Sequence, residues 1–76
     1  MALYARVEKL SEDDAEVRYK FTDIRDNERV LILDKAAERT RPEDADEDVL
    51  YRAVAMKVAT AWVRDGVAPD RLLVQS

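Results

Sequence analysis

Apolar residues recur along this chain with two different periods, and the change of period divides it into elements. From Leu3 to Lys9 they alternate, with Leu3, Ala5 and Val7 on one side of an extended backbone and Tyr4, Arg6 and Glu8 on the other. The polar stretch Ser11-Glu12-Asp13-Asp14 interrupts them. Alternation resumes from Ala15 to Thr22, with Ala15, Val17, Tyr19 and Phe21 as an inner row and Glu16, Arg18, Lys20 and Thr22 as an outer one. Two alternating segments joined by a short polar loop predict an antiparallel hairpin. A second turn follows from Thr22 to Glu28, in which Ile24 is the one apolar residue and is expected to fold back onto the core.

Arg29 to Lys35 carries four apolar residues in succession, Val30 to Leu33. The run is short and holds the β-branched Val30 and Ile32, which favours a third strand over a helix fragment. One pair, Leu31 with Leu33 or Val30 with Ile32, meets the core; the other is expected to form an apolar surface beyond the needs of one domain. Ala36 to Arg41 shows no apolar period and reads as a strand tail or irregular link, closed by Pro42.

The period then becomes helical. Val49 to Val63 is the only long apolar segment of this kind. At about 100° per residue, Tyr51, Val54, Ala55, Val58, Ala61 and Trp62 share one face. That face is predicted to meet the sheet, with Trp62 as its largest anchor. Val49, Met56 and Val63 make a second stripe, seven residues apart, with Ala53 and Thr60 between them and Arg52, Lys57 and Arg64 around them. A helix lying on the surface of one domain does not need this stripe. Loops or the C-terminal segment would cover it, or a second helix from another copy or another protein would, with Ala53 and Thr60 small enough for close approach. A chain of 76 residues has difficulty covering both faces of a helix by itself.

The helix has start and stop signals. Asp44 with Glu47 three residues on fits the capping-box spacing. Gly66, the single glycine of the chain, stands where a left-handed residue ends a helix, and Pro69 follows. Asp70 to Val74 is read as a short strand at a sheet edge rather than a tail against the helix. The expected fold is α+β, a three-stranded antiparallel meander packed against one long helix. The order is β-β-β-α, extended to β-β-β-α-β by the C-terminal strand, in one domain spanning residues 1–76.

Composition narrows the chemistry. There is no cysteine, hence no disulfide and no thiolate metal site, and no histidine, the commonest general base and metal ligand. The opening MALYARVEKL lacks a basic segment followed by an apolar run. Arg52 and Lys57 interrupt the longest apolar segment. A cytoplasmic protein without membrane association is expected. With one glycine no phosphate loop can form, and Ser11, Ser76, Thr22, Thr40 and Thr60 have no histidine or cysteine to activate them. Asp34, beside the apolar run, reads as a strand-end charge. The chain is read as a non-enzyme without cofactor.

Two clusters invite a partner. Glu43, Asp44, Asp46, Glu47 and Asp48 put five acids into six residues and outweigh the whole net charge of −4. Asp44-Ala45-Asp46-Glu47-Asp48 opens like a calcium loop. The motif then fails, with Val49 where glycine is needed and Ala55 where glutamate is needed. Acids at a helix start complement its dipole, and a basic partner protein is the alternative ligand. On the outer sheet face, Tyr4, Arg6, Arg18 and Lys20 form a thin platform for nucleic acid. Glu8 and Glu16 interleave with them, and a solvated face with cross-strand ion pairs is the stronger reading.

Taken together, these patterns predict a protein–protein interaction module, of inhibitor, immunity or accessory-subunit type. It would self-associate as a homodimer or dock another protein through Val49, Ala53, Met56, Thr60 and Val63. A weak nucleic-acid binder is the alternative.

Overall fold

The three hairpin turns among the described residues share one device, an aspartate whose carboxylate accepts amide hydrogens from the turn that follows it. Asp13 accepts from the amides of Ala15 and Glu16, both at 2.8 Å. Asp23 accepts from the amides of Arg25 at 2.8 Å and Asn27 at 2.9 Å. Asp34 accepts from the amide of Ala37 at 3.0 Å. In this computed structural model, which describes residues 3–75, these turns join four strands: β1 (Tyr4–Glu12), β2 (Glu16–Asp23), β3 (Glu28–Asp34) and β4 (Arg39–Pro42). Helix α1 (Val49–Asp65) and strand β5 (Arg71–Gln75) complete the order. All pairings are antiparallel and the sheet order is β4-β3-β2-β1-β5. The fold is α+β, with one helix across one face of the sheet.

The expected rows hold on the helix side except at two positions: Ala15, expected in the inner row, is exposed in the turn before β2, and Thr22, expected in the outer row, is buried. Ala5, Val7, Val17, Tyr19, Phe21, Leu31 and Leu33 are buried beneath Tyr51, Val54, Ala55 and Val58. The C-terminal segment forms the expected edge strand, with Val74 buried and Leu72 packed against the core. The largest fully buried side chains are Tyr19 and Phe21. Trp62 packs against the core while remaining half-buried, so it is not the main anchor expected of it.

Three features depart from the pattern. The meander has a fourth strand: β4 has no apolar alternation of its own, and the free edge of β3 recruits it, pairing Leu31 to Asp34 with Pro42 to Arg39. Strand β1 continues past Lys9 through a register shift between Lys9 and Ser11, a bulge at the exposed Leu10 that sets Glu12 opposite the buried Val17. Ile24 is 79% exposed and stays in the turn.

The outer side of β3 does not form the expected apolar surface. Ile32 is only 4% exposed although no helix covers that face. It lies in register between Arg18 and Arg41, whose aliphatic stems flank it. Their heads are held by acids, Arg18 by Glu43 at 3.1 Å and Arg41 by Glu16 at 3.6 Å.

The helix stops as expected. Gly66 adopts φ 74° and donates its amide to the Trp62 carbonyl at 2.8 Å. Its start differs: Asp48, not Asp44, is the N-cap, accepting the Tyr51 amide at 2.8 Å. No helix among the described residues is long and apolar enough to cross a membrane.

Candidate functional site

Burying Tyr51, Val54, Ala55, Val58 and Ala61 fixes the rotation of α1 and turns the second apolar stripe outward. Val49, Met56 and Val63 are 61%, 72% and 76% exposed. Thr60 is exposed on the same face. Ala53 is half-buried, at the margin of the core. Neither the loops nor β5 crosses the stripe, because β5 leaves to pair with β1. A groove runs along its flank, where Ala53, Met56 and Thr60 face Leu72 of β5. The ridge is apolar with small residues beside it, a surface on which another helix can seat.

The acidic cluster is organised around an arginine. Arg29, at the start of β3, donates from Nε to Asp44 at 2.8 Å and from Nη1 to both oxygens of Asp48 at 2.9 and 3.0 Å. Its Nη2 donates to the Asp46 carbonyl at 2.6 Å. The guanidinium also lies 4.9 Å from the centroid of the Phe21 ring. Hydrogen bonding raises the arginine further above its ordinary value, Asp44 contributing most. Asp44 is held below the usual carboxylate range chiefly by Arg29, and Asp48 first by the Tyr51 amide and then by Arg29. Glu43 is engaged by Arg18. The side chains of Asp46 and Glu47 are exposed. This is a closure of the β4–α1 loop over one cation, and no group of acids among the described residues is arranged to hold a metal.

On the outer sheet face each basic group expected to contact nucleic acid faces an acid. Arg6 lies 3.4 Å from Asp26, Arg18 pairs with Glu43, and Lys20 lies 3.5 Å from Glu28. Tyr4 is half-buried, opposite Gln75.

A second ionic cluster closes the other end of the sheet. Glu12, set by the bulge on the helix side of the sheet, meets Lys9 at 2.6 Å and Lys35 at 2.8 Å, and Lys9 also reaches Asp70 at 3.2 Å. Hydrogen bonds from Lys35 and then Lys9 hold the Glu12 carboxyl at about 2. Beside it the Tyr19 hydroxyl donates to the Pro69 carbonyl at 2.7 Å, and burial pushes its titration up to about 12. A phenol locked in this way secures the link between α1 and β5.

Sequence reasoning missed Arg29 as an organiser, because its partners lie 15 and 19 residues further along, beyond the β3–β4 hairpin that brings them to it, and leave no local signal. It also missed Leu73, exposed on the edge strand; the only available signal was the apolar run Leu72 to Val74. Compared with protein families, with curated proteins and with solved structures, the chain matches none.

Proposed function

We propose that this protein is a small cytoplasmic protein–protein interaction module whose docking surface is the ridge Val49, Met56 and Val63, with Ala53 and Thr60 beside it. One observation carries the reading: a row of large apolar side chains stands exposed on the helix face opposite the core. Such a row lowers free energy only when another apolar surface meets it. Helix-on-helix packing suits its spacing, which favours an accessory role in a larger complex. An inhibitor presenting Glu43 to Asp48 to a basic target has less support, since Arg18 and Arg29 already engage Glu43, Asp44 and Asp48.

The test compares wild type with Met56→Glu and Val63→Glu as immobilised baits in extracts of the source cells. A protein retained by wild type and lost from both variants is expected, with circular dichroism and melting unchanged because both positions are exposed. Equal retention by folded variants would overturn the ridge as the docking surface. Reversing the exposed Asp46 and Glu47 to lysine separates the two versions, abolishing capture only if the acids are the contact.

A further inference from the structure

The sheet ends in two edges that differ in their fitness for pairing. Strand β4 is short, ends at Pro42, which has no amide hydrogen, and carries Arg39 and Arg41. These are the features that blunt an edge. Strand β5, Arg71-Leu72-Leu73-Val74-Gln75, has no proline, no bulge and a single charge.

Which backbone groups of β5 remain available follows from its pairing with β1. The Lys9 amide donates to the Asp70 carbonyl at 2.9 Å, so Asp70 turns its carbonyl toward β1. Direction alternates along a strand, so Leu72 and Val74, opposite Val7 and Ala5, use their amides and carbonyls on β1. The amides and carbonyls of Arg71, Leu73 and Gln75 therefore point away from the sheet.

We infer that β5 pairs antiparallel with β5 of a second copy of this chain about a twofold axis through Leu73, joining the two sheets into one. This register sets Leu73 opposite Leu73 and Arg71 opposite Gln75, and those are the outward residues. Each exchanges both its backbone groups with the second copy. Shifting the register by one residue in either copy leaves part of this set unpaired. The side chains agree with the same register. On the helix side Leu72 meets Val74, in the closely spaced type of pair where apolar side chains touch best. On the outer side Leu73 meets itself, and the arginine meets a neutral amide with no like charge opposite. An isologous interface requires this self-complementarity.

Because residues directly opposite point to the same face, both helices lie on one side of the joined sheet. If the ridge is the docking surface, as proposed above, the dimer presents two ridges to the same side and binds a repeated partner with avidity.

Light scattering on a concentration series tests the inference, and wild type is expected to have the mass of two chains. Leu73→Pro removes only the outward amide, leaves the ladder to β1 intact, and is expected to give a folded monomer with dimer affinity at least about tenfold weaker. Leu73→Lys, which keeps the backbone unconstrained, is expected to do the same and decides the matter if the proline variant does not fold. Amide exchange at Arg71, Leu73 and Gln75 should slow as concentration rises, whereas Leu72 and Val74 are protected throughout. Met56→Glu should remain dimeric. A monomeric wild type at all concentrations, or folded Leu73 variants that stay dimeric, overturns the proposal. Monomerisation by Met56→Glu alone overturns it too, while making the ridge itself the self-interface. A monomeric wild type that still captures a partner through the ridge would separate failure of this inference from failure of the docking reading.

Discussion

Arg29 Nη1 lies 2.9 Å from Asp48 Oδ1, the same oxygen that accepts the Tyr51 amide at 2.8 Å. One carboxylate thus joins the first turn of α1 to the first residues of β3. Removing the arginine strands Asp44 and Asp48 and uncovers Phe21. Arg29→Ala is expected to lower stability by about 1.5–3 kcal/mol, the range for hydrogen bonds to charged groups. Arg29→Lys should recover only part of this, since an ammonium cannot fork between two carboxylates. Urea unfolding midpoints at neutral pH measure both.

Acid should weaken the fold through the same groups. A carboxylate whose folded value is depressed contributes stability above its unfolded value and loses that contribution as pH falls through the folded one. Glu12 drops from an ordinary 4.5 to about 2, and Asp44 and Asp48 are lowered from 3.8. The melting temperature is therefore expected to be steady above about pH 4.5 and to fall from there toward pH 2. Glu12→Gln should melt below wild type at neutral pH and converge with it near pH 2, as followed by circular dichroism.

At the alkaline end the sign reverses. Tyr19 is raised by burial from 10 to about 12, so the folded state holds a proton that the unfolded chain releases first. Stability is full below pH 10 and declines between pH 10 and 12. Tyr19→Phe should lose about 1 kcal/mol at neutral pH with the bond to the Pro69 carbonyl, and flatten the alkaline decline. The Lys9 amide, bonded to the neighbouring Asp70 carbonyl, should exchange faster in this variant.

Gly66 sits at φ 74°, and apart from its own chain neighbours nothing lies within 4 Å of where a Cβ would stand. The penalty for a side chain there is conformational rather than steric. Gly66→Ala is expected to destabilise by about 1 kcal/mol and Gly66→Asn by less, since asparagine tolerates the left-handed region. Chemical denaturation of the three proteins orders them.

Periodicity made the helix-side core legible because it is a local property: Val17, Tyr19 and Phe21 must share a side of any strand, and Tyr51, Val54 and Val58 a side of any helix. The same geometry set Val49, Met56 and Val63 on the opposite face, though only the fold decided that no loop or strand covers them, and the lone glycine marked where the helix stops. What sequence could not settle depends on neighbours brought from elsewhere in the chain. Ile32 is covered because the sheet order sets Arg18 and Arg41 on either side of it. β4 is a strand because β3 offered an edge. Asp48 rather than Asp44 caps the helix in a loop that Arg29 draws together once the β3–β4 pairing has brought the two side by side. Residue spacing along a strand or helix dictates which side chains share a face; only the packed sheet decides which charges meet and which edge is left to pair.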